Sequence, residues 1–399
     1  MSGLGKGCAS ASIGLLFQSL GYTVTMIKID PYLNVDSGTM SPYEHGECFV
    51  LSDGGECDLD LGNYERFLGI KLTKNHSITT GKIYQSVIQK ERRGDYLGAT
   101  VQVVPHITNE IMDQITNASM IPIKNRIPDI CIIEIGGTIG DIEQLPFIEA
   151  LQQMKAINTI NDTFCFAHVS MVINNPEIKT KPIQHSISTL RSRGIFPNLL
   201  IIRGKEMLPN EIKHKLHVLC QVSPQNIISN HNVSTIYHVA HLFHEQDICN
   251  RISPFINLPI NKSLFPHSSI ISYYNKLSLL PKIKIGIVGK YLNSPDTYLS
   301  LIRAIEHASF YLNINTKPKF ITSDDNLTKY NAFIIPGGFG SRGITDKLTV
   351  SRYARIHNIP ILGICLGMQV MVVDSLNFIN INATSREWDD LSFPDPVCY

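Results

Sequence analysis

The 399-residue chain carries a formal net charge of +1, with 43% hydrophobic and 17% charged residues. That balance suits a protein with sizeable buried cores and gives no basic field for nucleic acid or an anionic membrane, so lysines and arginines are read as local site charges. No apolar run reaches the roughly 18 residues a membrane span needs, and Met1–Gly7 has no basic-then-apolar leader pattern. Nine cysteines, at 8, 48, 57, 131, 165, 220, 249, 365 and 398, form no C-x-x-C pair. Odd and irregularly spaced, they read as reduced thiols of a cytoplasmic protein, any one of which is free to act as a nucleophile.

In chain order, Gly3-Leu4-Gly5-Lys6-Gly7 opens the sequence and leads into an Ala/Ser-rich helical stretch to Leu20. Glycines let backbone N–H groups approach a phosphate, the helix start adds its dipole, and Lys6 adds a mobile charge. A plain Gly-rich turn is the alternative, because Gly7 stands where a full P-loop has Ser or Thr. The runs Tyr22–Lys28, Asp129–Ile135, Phe164–Ile173 and Asn198–Ile202 read as buried parallel strands. Thr108–Ala118 and Leu145–Ile157 between them read as helices, and this alternation predicts a doubly wound, mostly parallel α/β sheet.

Asp58-Leu-Asp60 is expected to be extended, with both carboxylates on one side, either for a cation such as Mg²⁺ or as a solvated loop. Glu134 ends an apolar run and precedes Gly136-Gly137. That is where open α/β sheets gather ligands; a capping acid is the alternative. Lys179-Thr180-Lys181-Pro182-Ile183-Gln184 suits a triphosphate and a base edge, or is a solvated basic loop.

Punctuation by Pro and Ser around 257–282 places a linker there, at 259–281, between domains at 1–258 and 282–399. A second α/β pattern runs through Lys282–Gly289, Ala332–Ile335 and Ile359–Gly363. Gly363-Ile-Cys365-Leu366-Gly367-Met368-Gln369 reads as a strand, a sharp turn and a helix: the elbow that exposes a nucleophile at a helix start that favours thiolate. Pro336-Gly337-Gly338 upstream offers backbone N–H groups. A lone buried Cys is usually packing; the flanking glycines argue otherwise.

Taken together the motifs resemble one family. Lys28-Ile-Asp30-Pro-Tyr-Leu-Asn, Gly38-Thr-Met-Ser-Pro-Tyr-Glu-His45-Gly-Glu, Asp58-Leu-Asp60-Leu-Gly-Asn-Tyr-Glu-Arg-Phe, Lys90-Glu-Arg-Arg-Gly-Asp-Tyr-Leu-Gly, Val103-Val-Pro-His106, Glu134-Ile-Gly-Gly-Thr-Ile-Gly-Asp141-Ile142-Glu143 and Lys179-Thr-Lys-Pro follow the amidoligase domain of CTP synthases in order. The cysteine segment resembles a class I glutamine amidotransferase.

The resemblance implies phosphorylation of UTP by ATP at O4, then displacement by ammonia taken from glutamine or from solution, to give CTP. It assigns ATP phosphates to Gly3, Leu4, Gly5, Lys6 and Gly7, with Lys6 and Lys28 as catalytic cations, Mg²⁺ to Asp60 and Glu134 (Asp60 also to ATP), and adenine to His231, Asn232 and Val233. UTP or CTP falls to Ser2, Asp141, Ile142, Glu143, Lys179–Gln184 and Lys215. Glutamine falls to Gly337, Gly338, Leu366, Gly367, Met368, Gln369 and Glu387, with Cys365 attacking. It further implies GTP as an allosteric activator, a homotetramer and filaments.

The family begins with a strand ahead of the phosphate loop and ends its glutaminase with a His-x-Glu pair; neither stands in this sequence, which reads as truncated at both ends. Glutamine turnover is therefore expected to be impaired. The competing reading is a nucleotide-binding regulatory or assembly subunit without turnover.

Overall fold

A computed structural model describes residues 3–157, 163–174, 177–260, 268–290, 295–338 and 340–388. The chain divides into two compact units: one of residues 1–40 and 48–271, the other of residues 41–47 and 272–399.

The first unit is built on β-α alternation. It runs α1 (Lys6–Ser19), β1 (Val24–Asp30), α2 (Leu59–Leu68), β2 (Ser77–Thr79), α3 (Thr80–Arg93), α4 (Thr108–Ser119), β3 (Ile130–Ile135), α5 (Leu145–Ile157), β4 (Ala167–Met171), α6 (Lys181–Ser192), β5 (Leu199–Gly204), α7 (Asn210–Cys220), β6 (Ile227–His231), α8 (His238–Glu245) and α9 (Ile248–Ile256). Among the described residues these strands form two three-stranded parallel sheets, β2-β1-β3 and β6-β5-β4, and two short antiparallel pairs join Phe49–Val50 to Glu56–Cys57 and Ile173–Asn174 to Ile178–Lys179. The mostly parallel α/β expectation is met, with the sheet divided in two.

Strand β1 shows why the site forms where it does. All seven residues are buried. Successive side chains alternate faces. Ile27 and Ile29 join Ile78, Ile83, Ile111, Ile115, Phe147 and Leu151 in a core against α3, α4 and α5. Lys28, between them, is turned to the other face, where α1 and α2 pack on the sheet. A buried ammonium is costly unless partnered, and the sequence supplies its partners from the start of α2.

One expectation is corrected here. Asp58-Leu-Asp60 is not extended: Asp58 caps α2, accepting from the Asp60 N–H at 2.9 Å, and Asp60 lies in the first turn. The stretch read as linker holds a helix at Ser268–Lys276.

His168 on β4 of the second sheet is half-buried, its Nε2 2.8 Å from Ser186 Oγ of α6. Burial pulls the imidazole down to about 4 from the usual 6.5. A depressed folded-state value contributes stability above the unfolded value, lost as pH falls. Stability is therefore expected to drop between pH 6.5 and 4 by on the order of 1–3 kcal/mol. Urea midpoints against pH check this: His168→Asn should flatten that part of the profile.

The second unit contains β7 (Lys282–Ile287), α10 (Leu299–Leu312), β8 (Asn315–Phe320), β9 (Ala332–Ile335), α11 (Ile344–Ile356), β10 (Ile361–Gly363) and α12 (Leu366–Phe378). One parallel sheet results, in the order β8-β7-β9-β10. The order reverses between β7 and β9, the position at which open α/β sheets bind ligands. Glu47, from the short segment in this unit, accepts from the Ser300 N–H at 2.8 and 2.9 Å and so satisfies donors at the start of α10. Asp374 is held by Arg355 at 3.0 and 3.1 Å and by Ser351 at 3.2 Å, which ties α12 to α11.

Candidate functional site

The first candidate centre lies where β1 and β3 end, again a point of reversed strand order. Register sets Lys28 directly opposite Glu134. Lys28 Nζ lies 2.7 Å from Asp60 Oδ2, 2.9 Å from Asp58 Oδ1 and 3.2 Å from Asp30 Oδ1. Lys28, Asp30 and Glu134 are each 5% exposed or less. Burial opposes the charge on Lys28, but Asp30, Asp60 and Asp58 outweigh it and hold the amine well above its ordinary value.

The carboxylates divide. Burial pushes Glu134 up to about 8, reinforced by repulsion from Asp60. Burial, with Asp58 and Asp60 beside it, also raises Asp30. Asp60 stays below its ordinary range because Lys28 overcomes the cost of burial. Tyr64 of α2 donates its hydroxyl to Glu134. Asp30 Oδ2 is buried without a partner among the described residues.

The Gly-rich loop closes this centre. Gly3 and Gly5 take φ of 76° and 75°, a left-handed conformation that glycine adopts freely. Gly5 caps α1, so Lys6 stands in its first turn. A Cβ on Gly7 would come within 2.7 Å of Asp60 Cγ, so the carboxylate rests on bare backbone. Lys6 lies close enough to Glu134 to lower its proton affinity. Lys6, Lys28, Asp60 and Glu134, separated by up to 128 positions, are thus brought together. Asp30 and Tyr64 complete the cluster and were not identified from sequence. The apolar spacing Leu61, Tyr64, Phe67, Leu68 marks a helix face and could have placed Tyr64 inside.

No group of three His, Cys, Asp or Glu side chains among the described residues is arranged to hold a metal alone. Asp60 and Glu134 still suit Mg²⁺, which binds through one or two carboxylates with phosphate oxygens and waters. Their repulsion, and the unpartnered oxygen on Asp30, are what a divalent cation would relieve.

The other expected nucleotide contacts lie on their own elements. Asp141 accepts from the Thr138 N–H at 3.1 Å and starts a short turn that leaves Ile142 and Glu143 exposed. Gly140 of that turn meets Thr189 of α6, where an added Cβ would be 3.0 Å away. Lys179 ends a two-residue strand, and Lys181 and Pro182 begin α6. Thr180 is buried and accepts from Gln184 Nε2 at 2.9 Å. Ile183 points into the core beside Ile187 and Leu200, so its side chain is structural. Lys215 is exposed on α7. His231 ends β6, its Nδ1 3.4 Å from Ser229 Oγ, with Asn232 exposed and Val233 half-buried beyond. Ser2 lies outside the described residues.

The second candidate centre is the turn from β10 to α12. Cys365 takes φ 53° and ψ −112°, a strained conformation for a residue with a side chain, and is exposed. The residues two positions to either side, Gly363 and Gly367, have no room for a side chain. A Cβ on Gly363 would lie 2.6 Å from Gly367 C, and one on Gly367 would lie 2.7 Å from Ile335 C. Gly337 follows β9, and a Cβ there would stand 3.6 Å from Cys365 Cβ. Leu366 is fully buried, while Met368 is exposed. Gln369 Oε1 accepts from Ser385 Oγ at 2.7 Å, and the Glu387 N–H donates to the same hydroxyl at 3.2 Å. Ser385, not singled out in the sequence, ties the two glutamine-contact candidates together.

A Gly-rich loop over clustered carboxylates in one α/β unit, and a strained cysteine elbow in the other, define an amidoligase joined to a class I glutaminase. The family described as CTP synthase N-terminus matches residues 1–258, and that of class-I glutamine amidotransferases matches residues 294–376. The CTP synthase of Methanosarcina acetivorans is 44% identical over 410 residues, covering 100% of this chain and 75% of that protein. Homo sapiens CTP synthase 2 is 44% identical over 417 residues, covering 97% and 71%. A solved Trypanosoma brucei CTPS glutaminase domain with bound acivicin is 34% identical over 26% of this chain and 45% of that one, with a TM-score of 0.24. The chain belongs to the CTP synthase family.

Proposed function

We propose that this chain aminates UTP to CTP at the expense of ATP, through a 4-phosphorylated UTP. The observation that carries this is the convergence of Lys28, Asp60 and Glu134 beside the Gly3–Gly7 loop. Gly3–Gly7 N–H groups and Lys6 would hold the ATP phosphates at the start of α1. Lys28 keeps Asp60 ionised. Asp60 and Glu134 would hold Mg²⁺, which when bound neutralises phosphate charge. Asp141–Glu143, Lys179–Gln184 and Lys215 would hold UTP, and His231–Val233 the adenine.

The steps balance. The UTP O4 takes the γ-phosphoryl group as N3 loses its proton and the ring forms N3=C4, and ADP leaves. Ammonia then bonds to C4, and inorganic phosphate leaves with O4 and a proton is released. Ammonia would come from solution or from glutamine, whose carboxamide Cys365 attacks to form a thioester. The N–H groups of Gly338 and Leu366 would stabilise the oxyanion. Gly337, Gly367–Gln369 and Glu387 would line the glutamine pocket. The ligase domain is placed at 1–258, the linker at 259–281 and the glutaminase segment at 282–399.

GTP activation, tetramers and filaments carry over from the family as proposals, as does cytoplasmic residence. The test is CTP formation from UTP, MgATP and ammonium chloride, with glutamine in parallel. CTP from ammonia is the expected result. A folded sample that binds UTP and ATP but makes no CTP from either donor would support the regulatory-subunit alternative.

A further inference from the structure

One charged side chain beside the cysteine elbow has no place in the chemistry above. Lys347 lies on α11, whose buried face is Ile344, Lys347, Val350, Ser351 and Ala354. It is 0% exposed, and its Nζ finds no hydrogen-bond partner among the described residues. A buried donor left without an acceptor is costly, more so when charged. The charged groups acting on it are Lys290, after β7, which repels it, and Asp346, its neighbour. Burial, with the Lys290 repulsion added, brings the amine down to about 8.

The amine is aimed at one place. A Cβ added to Gly338 would lie 3.8 Å from Lys347 Nζ and 3.5 Å from Leu366 Cδ2. A Cβ added to Gly337 would instead face Cys365 Cβ at 3.6 Å. The peptide joining Gly337 to Gly338 thus links a residue beside the nucleophile to a residue beside the buried amine. In a planar trans peptide the N–H and C=O point in opposite directions. When the Gly338 N–H faces Cys365, the Gly337 carbonyl points away from it. Two glycines leave this peptide free to turn.

We propose that Lys347 is a positioning residue for the oxyanion-binding peptide Gly337–Gly338, donating to the Gly337 carbonyl in the orientation that presents the Gly338 N–H to the acyl oxygen bound at Cys365. Among the described residues the amine has no acceptor. Charge developing on the acyl oxygen draws the N–H and brings the carbonyl within reach of Lys347. The inference rests on Cys365 as the nucleophile.

Two reagents separate the possibilities. Acivicin reacts when the thiolate sulfur bonds to the C=N carbon and chloride leaves; negative charge develops on the ring nitrogen, so an oxyanion-type donor is needed. Iodoacetamide reacts by direct displacement of iodide and needs none. Rates of labelling at Cys365, located by mass spectrometry, are measured for the 399-residue chain, Lys347→Met and Lys347→Gln. Lys347→Met removes an uncompensated buried charge and is expected to fold with an unchanged or higher melting temperature. Its acivicin rate is expected to fall about tenfold or more, with the iodoacetamide rate within about twofold of the parent. Equal slowing with both reagents, or no slowing with either, overturns the inference; Lys347→Gln repeats the comparison if the first variant does not fold. Parent protein labelled elsewhere than Cys365 overturns the nucleophile reading instead.

Discussion

Lys28→Met is expected to abolish CTP formation and to lower stability by about 3–5 kcal/mol. The side chain is almost the same length, so the loss is one of charge alone. Without the ammonium, Asp30, Asp58 and Asp60 lose the cation they share, and Glu134 keeps only the more distant Lys6. Breaking a buried pair costs more than the pair ever contributed, because the remaining charge stays buried. Mg²⁺ near Asp60 and Glu134 would repay part of this, so the variant should be rescued in melting temperature more by added Mg²⁺ than the parent is. Thermal denaturation with and without Mg²⁺, beside an ammonia-dependent assay, checks both halves. A variant as stable and as active as the parent would remove Lys28 from the site.

Gly367→Ala is expected to destabilise the second unit by roughly 1–3 kcal/mol or more, as overpacking of a tight site does. The added Cβ would overlap the Ile335 carbonyl and lie 2.7 Å from Ile335 C and 2.9 Å from Ile335 Cβ. All three belong to β9 or its first side-chain atom, so no flexible group can swing away. The elbow must shift, and Cys365 with it. Denaturation followed by the iodoacetamide rate at Cys365 reads this out, with a lower transition and an altered rate expected. Ammonia-dependent CTP formation, which uses the first unit's residues, is expected to persist.

Much of the fold was legible from local pattern. The helix Leu145–Ile157 and the strand Ala332–Ile335 fall where apolar periodicity puts them. Asp58-Leu-Asp60 was misread because two nearby carboxylates suggest a loop. The competing signal was the capping preference of Asp ahead of Leu61, Tyr64, Phe67 and Leu68. Asn315–Phe320 carries two lysines and a proline, which an edge strand tolerates and a sequence window does not favour.

The site divides in the same way. Glu134 and the Cys365 elbow could be found because each ends an apolar run at a glycine. Tyr64 meets Glu134 across 70 positions, and no local pattern specifies which carboxylate meets which ammonium. Lys347 did carry one usable signal: its three-residue offset from Ile344 and Val350 puts it on the apolar face of α11.

The central claim is that ATP activates O4 of UTP in the Lys28 cluster. It is tested most directly with UTP carrying ¹⁸O at C4, incubated with the protein, MgATP and ammonium chloride. Recovery of the label in inorganic phosphate, in proportion to CTP formed, is the predicted result. CTP formed with unlabelled phosphate would contradict the account, because the oxygen would then have left without being phosphorylated.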